Sequence, residues 1–307
     1  MCIRPDTVHS VMPYDEFGLF SENAAEYGLP FAGPPAVSRV EVEVSPGRHV
    51  SSLVWGTSPP ELVLVHGGAQ NAHTWDTVAL ALGRPLVAID LPGHGHSDGG
   101  PEGSLSIGSN GEDLARVVSE LAPHARGVVG MSLGGLSSIA LTAHAPELVR
   151  SLVLVDVTPG VNQEKAAPIF AFVDGPDSFP SFDDLLARTV EHNPTRLVSS
   201  LRRGILHNAV QREDGSWVWR YARFRSGEGG LRPEVGDWWT AISGIRVPMM
   251  LVRGLAWSVV DDADVDELLR RQPTCAVVGV EGAGHSIQGD RPLELTGILS
   301  DFLFPQD

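Results

Sequence analysis

Gly127-Val128-Val129-Gly130-Met131-Ser132-Leu133-Gly134-Gly135 is the stretch that decides the fold. A short aliphatic run ends in Gly-x-Ser-x-Gly, and the i, i+3, i+4 apolar spacing over 136–143 continues as a helix. The serine therefore sits on a sharp strand-to-helix turn, the context this motif needs to carry chemistry. Glycines around it remove side chains that would clash in so tight a turn, and the helix N-terminus behind it favours developing negative charge. Working outward, aliphatic runs of strand length occur at 62–65, 86–89 and 152–155, separated by helical patterns at 75–82 and 113–121. Strand and helix alternate again at 249–252, 265–271, 276–280 and 293–302. That alternation predicts an α/β fold with a mostly parallel sheet and helices on both faces.

Ahead of this block, Val40, Val42 and Val44 alternate, Pro46-Gly47 marks a turn and 49–55 supplies a second run, which predicts an antiparallel hairpin. Residues 1–37 lack periodicity and read as an extension. Between 161 and 244 strand alternation disappears and the sequence turns helix-like, with Pro and Gly punctuation, so this segment is expected to be an inserted helical cap. The expected organisation is an extension at 1–37, core at 38–160, cap at 161–244 and core again at 245–307.

Composition excludes several classes. With 22 Lys and Arg against 38 Asp and Glu, the net charge is −16, and no basic block suggests a nucleic-acid surface. The same balance disfavours anionic substrates unless a local cluster, such as Arg202 with Arg203 or the arginines at 220–225, offsets it. The 2 cysteines, Cys2 and Cys275, lie at opposite ends of the chain, which argues against a disulfide framework and for a reducing compartment. No window approaches a membrane span, and no cofactor or metal motif is present. A cytoplasmic protein without cofactors is expected, and a homo-oligomer is compatible with the sequence.

A serine hydroxyl needs a base to act at neutral pH. Of the 11 histidines, His285 stands out, because Gly282-Ala283-Gly284-His285 follows the last expected strand, on the same sheet edge as Ser132. His66, His94 and His96 lie in loops after other strands and read as loop-shaping residues, and His73, His124, His144 and His207 read as surface or capping residues. Attack on a carbonyl also creates an oxyanion, which needs two donors. The Leu133 N–H follows from the elbow, and Gly68 in His66-Gly67-Gly68 is the second candidate.

Taken with Asp90-Leu91-Pro92-Gly93-His94-Gly95-His96-Ser97-Asp98, these segments make the chain resemble the α/β-hydrolase superfamily from about residue 38 onward. The resemblance implies an eight-stranded, mostly parallel sheet, a lid over the active site and a Ser-acid-His triad in that order. It also exposes a departure. The acid usual after the seventh strand, in a Gly-x-x-Asp pattern, is missing from Gly254-Leu255-Ala256-Trp257. Some members carry it after the sixth strand, where this chain has Leu154-Val155-Asp156. A carboxylate ending a Val-rich strand asks for a partner such as an imidazole, so Asp156 is the expected acid, with Asp261 or Asp262 as alternatives.

The expected activity is hydrolysis of a carboxylic ester, lactone or thioester of a largely apolar small molecule, with Ser132 as nucleophile, His285 as base and Asp156 orienting it. Trp217 and Trp219, among the many aromatics of the cap, and Trp257 at the vacated acid position are candidate substrate-binding residues; packing within the cap is the competing role for the first two. Carbon–carbon bond hydrolysis of an aromatic metabolite is the alternative chemistry. A non-catalytic ligand-binding protein is the alternative class, supported by Trp257 standing where the acid is usual.

Overall fold

The computed structural model describes residues 14–100, 105–161, 163–193, 196–221 and 235–305. In chain order these form α1 (Phe20–Glu26), β1 (Val37–Ser45), β2 (Arg48–Trp55), β3 (Leu62–Val65), α2 (Asp76–Leu82), β4 (Leu86–Ile89), α3 (Ile107–Leu121), β5 (Gly127–Met131), α4 (Leu133–His144) and β6 (Leu152–Val155). Then follow α5 (Gln163–Val173), α6 (Phe182–His192), α7 (Val198–Asn208), β7 (Ala209–Gln211), β8 (Trp217–Trp219), α8 (Val235–Gly244), β9 (Met249–Gly254), α9 (Asp262–Arg271), β10 (Ala276–Val280), α10 (Ile287–Asp290) and α11 (Pro292–Leu303).

Eight strands make one sheet in the order β1-β2-β4-β3-β5-β6-β9-β10. Only the β1/β2 and β2/β4 pairings are antiparallel, so β2 alone runs against the rest. The central strands are short and aliphatic because both of their faces are covered: Val63 and Val65 enter the core on one face, Leu62 and Leu64 that on the other. Each such side chain, fully buried, contributes about 1.5–3 kcal/mol. The chain leaves β3 for β4 on one side and reaches β5 on the other. The crevice at the carboxyl ends of β3 and β5 is therefore the switch point where open α/β sheets bind ligands.

Two elements differ from expectation. α3 begins at Ile107, six residues before the apolar spacing becomes regular, because Ser106 caps it reciprocally with Ser109 and offsets the poor helix formers Gly108, Asn110 and Gly111. The segment 161–244 is not purely helical either. Its β7 and β8 pair as a hairpin closed through Asp214-Gly215, with Gly215 at φ 85°. Strands of three residues are too short to display a period of two.

Residues 14–27 are anchored at several points. Phe20 is buried against Trp55, with ring centroids 4.9 Å apart, and Arg203 of α7 donates to Asn23 and Glu26. Phe179, Phe182, Leu185, Ile205 and Trp217 form a separate small core.

Candidate active site

Ser132 joins β5 to α4 at φ 50°, ψ −120°, a backbone conformation in which a side chain is strained. Its neighbours show why glycine flanks it. A Cβ on Gly130 would stand 2.5 Å from the Gly134 carbonyl oxygen and 2.6 Å from Gly135 Cα, and one on Gly134 would collide with the backbone of Val65 and His66. The elbow closes only because those atoms are missing, and closing it presents Ser132 to a cavity of about 650 Å³.

Among the described residues, the non-glycine residues with left-handed φ are Ala69 (59°), Ser132 (50°) and Asp156 (49°). All three lie after the central strands β3, β5 and β6. Local strain of about 1–3 kcal/mol each persists only where the surroundings impose it.

Asp156 is fully buried and accepts hydrogen bonds from His285 Nδ1 at 2.8 Å, Ser258 Oγ at 2.6 Å, Gly254 N at 3.0 Å and Val259 N at 3.3 Å. The end of β9 and the loop after it, which has no carboxylate over 255–257, thus supply donors that hold the one after β6. Asp261 instead caps α9 and accepts from Asp264 N, and the exposed Asp262 pairs with Arg253 at 2.6 Å. Neither alternative acid reaches His285. The imidazole of His285 lines the cavity, and its Nε2 has no hydrogen-bond partner among the described residues. Trp257 stands edge-on to this ring, with centroids 6.0 Å apart.

Gly68 belongs to a loop pinned on both sides of it. Gly67 N donates to Gln70 Oε1 at 3.1 Å, Ala69 N to His94 Nε2 at 3.2 Å, and Asn208 Nδ2 to the Ala69 carbonyl at 2.7 Å. His66 bridges this loop to the next, pairing its Nδ1 with the Gly67 carbonyl at 2.7 Å and accepting from Leu91 N at 2.9 Å. Burial pushes both imidazoles toward the neutral form, His94 down to about 3 with the charge of His66 adding to it. They are structural props. The N–H groups of Gly68 and Leu133 donate to no described residue and both residues line the cavity, as an oxyanion site requires.

The aromatic candidates divide. Trp219 and Trp257 line the cavity, as do Phe170 and Phe172 of α5. Trp217 is not brought there: its ring packs edge-to-face on Phe182 at 5.1 Å in the small core. Side chains two apart on β8 share a face, and Trp219 borders the small core as well, edge-to-face with Phe179 at 6.2 Å, but at the strand's other end it also reaches the cavity. Trp238 and Trp239 pack against the main core. Phe224, Cys2, Arg223 and Arg225 lie outside the described residues.

One cluster was missed in the sequence. His73 and His207, expected to be surface or capping residues, are buried with Asp76, and the half-buried Glu16 reaches them. His73 pairs with Asp76 at 3.0 Å and Glu16 at 3.1 Å, its ring stacked on His207 with centroids 3.8 Å apart. Burial opposes the imidazolium, but Asp76 and Glu16 outweigh it and push His73 up to about 9. Burial and the charge of His73 hold His207 well below its ordinary value, and Tyr14 Oη lies 2.8 Å from His207 Nδ1. The i, i+3 spacing of His73 and Asp76 was the available signal.

With this geometry in view, comparison with known proteins is decisive. The profile of the alpha/beta hydrolase family matches residues 62–297. The chain belongs to that family. It is 45% identical over 300 residues to Esterase Rv0045c of Mycobacterium tuberculosis, covering 94% of this chain and 96% of the relative. The crystal structure of that esterase superposes with a TM-score of 0.84 over 95% of this chain and 99% of its own, at 44% identity. A more distant relative, 2-(acetamidomethylene)succinate hydrolase of Mesorhizobium japonicum, is 26% identical over 80% of this chain and 88% of its own length. Among the described residues no helix is long and apolar enough to cross a membrane.

Proposed function

We propose that the protein is a serine ester hydrolase working through an acyl-enzyme. The observation that carries this is the 2.8 Å contact of His285 Nδ1 with the buried Asp156, made by a ring whose Nε2 stays unpartnered in the cavity that Ser132 enters. Asp156 keeps the proton on Nδ1, and Nε2 takes the proton from Ser132 Oγ as that oxygen bonds to the ester carbonyl carbon. The oxyanion is received by the N–H groups of Gly68 and Leu133, which bind it without reorganising. His285 then returns the proton to the leaving alcohol, and water, activated by the same ring, releases the acid.

The residues of 161–244 act as the cap in this account: Ile169, Phe170, Phe172 and Trp219 give the cavity an apolar wall suited to the carbon skeleton of an ester, lactone or thioester. The non-catalytic alternative rested on Trp257 in place of an acid, and Asp156 removes that support. A cytoplasmic location fits the unpaired Cys275.

Turnover of a panel of short- and medium-chain esters, lactones and thioesters by wild type and Ser132→Ala tests the proposal. Activity on at least one class, abolished by the substitution, is expected; equal rates would overturn it.

A further inference from the structure

The cavity has a polar wall that this reaction leaves unused. Arg196, immediately before α7, lines it. Among the described residues its guanidinium makes one hydrogen bond, from Nη2 to Ser200 Oγ at 3.0 Å. Its Nε stands 3.9 Å from Asp290 Oδ1, beyond hydrogen-bond reach, and Nη1 donates to no described residue. A guanidinium carries five N–H donors in a planar fork, so most of this one is idle. Arg196 Nε, Asp290 Oδ1 and Gln288 Oε1 are all buried without hydrogen-bond partners, and all three residues border the same cavity. The guanidinium nitrogen is open to an acceptor brought by a ligand, while the two oxygens, acceptors themselves, are open to a donor such as water.

The charge is also under-compensated. Burial lowers the Arg196 pKa even though Asp290, Tyr27 and Glu26 pull the other way. The neighbouring arginines are spent. Arg203 gives Nε to Asn23 at 2.6 Å and its other two nitrogens to Glu26 at 3.1 and 2.9 Å, and Arg202 lies 3.7 Å from Glu22. Arg196, rather than the Arg202–Arg203 pair that the sequence suggested, is thus open to offset the acidic balance at this wall.

We propose that Arg196 receives a carboxylate carried by the substrate, in addition to the ester that meets Ser132. A planar carboxylate matches the open edge of the fork, and its single charge is repelled less by Asp290 than a multiply charged phosphate is. The site adjoins the reacting end, because Asp290 Oδ2 accepts from Gly284 N at 2.8 Å, one residue before His285. The substrate class is thus a half-ester, with an apolar skeleton against α5 and a free carboxylate on Arg196. This rests on the assignment of Ser132 as nucleophile.

The test compares monomethyl esters of dicarboxylic acids with methyl esters of monocarboxylic acids of matched length. In the wild type, kcat/KM favours the half-ester at one or two chain lengths. In Arg196→Met that preference falls roughly 10- to 100-fold, the worth of a charged hydrogen bond. The fall is expressed in KM rather than kcat, and Arg196→Lys recovers part of it. Calorimetric titration of Ser132→Ala with the same pairs reads the preference without turnover. A wild-type ratio near one at every length, or a ratio unmoved in Arg196→Met, overturns the carboxylate site. Undiminished turnover by Ser132→Ala, or binding preference without turnover of any ester by the wild type, breaks the esterase assignment and leaves the carboxylate site standing.

Discussion

His285 with Asp156 and His73 with Asp76 are two buried imidazole–carboxylate pairs bordering one cavity, and they are chemically unlike. His285 gives one nitrogen to Asp156 and keeps the other free of any described partner, with its carboxylate held by three further donors from the end of β9 and the loop after it. His73 spends both nitrogens on acids and stacks on a second histidine. A ring whose two nitrogens are committed and whose acids push its pKa up to about 9 is already protonated at neutral pH and cannot serve as a base. What separates the two pairs is the second nitrogen of each ring, unpartnered among the described residues in His285 and committed to Glu16 in His73. The same distinction separates Trp219, on the cavity wall, from Trp217, two residues away in a packed core.

The widest gap between the two pairs is expected from His285→Ala and His73→Ala. Steady-state ester assays should find kcat down by on the order of 10⁴-fold or more in the first. In the second, kcat measured well below the unfolding transition should fall less than about threefold, while thermal unfolding reports a loss of about 3–5 kcal/mol, because the buried carboxylate of Asp76 loses its partner. A large kcat effect at His73 would break the comparison.

Asp156→Asn should lower kcat about 10³- to 10⁴-fold by removing the group that fixes the His285 tautomer. Asp261→Asn and Asp262→Asn, assayed beside it, should leave kcat within about twofold. For the tryptophans, Trp217→Ala should reduce stability by about 3–5 kcal/mol in denaturant titration, and Trp219→Ala should chiefly raise KM, severalfold.

The smallest effect sharpens the electrostatics. Because the folded pKa of His73 lies above its ordinary 6.5, its stabilisation is fully present below about 6.5 and disappears as pH rises through 9. The Tm difference between wild type and His73→Gln should therefore be largest near pH 6 and shrink toward pH 10. A difference that grows with pH would contradict the assignment of a charged His73.

Much of this was legible in the sequence, and the physical reasons are specific. The elbow, the Gly68 loop and His285 could be read because tight turns and buried strands impose local residue choices at Gly130, Gly134 and the Val-rich runs. Asp156 was readable only as a buried carboxylate in want of a partner; that Ser258 and two backbone N–H groups would share it depends on how the loop after β9 folds. Of the His73 cluster only the i, i+3 pair of His73 and Asp76 was legible, since Glu16 and His207 join it through tertiary packing. The β7–β8 hairpin was not read, although Asp214-Gly215 before Trp217-Val218-Trp219 carried a hairpin signal. Arg196 escaped for the opposite reason: the sequence showed a pair of arginines at 202 and 203, and only the fold reveals that Glu26 and Asn23 occupy one of them.

The central claim, that Ser132 is activated through His285 and Asp156, is tested most directly by reaction with a fluorophosphonate followed by mass spectrometry of the modified peptide. A single adduct on Ser132 is predicted, absent in Ser132→Ala and formed orders of magnitude more slowly in His285→Ala and Asp156→Asn. An adduct on another residue, or labelling of Ser132 at an unchanged rate in both of those variants, would contradict it.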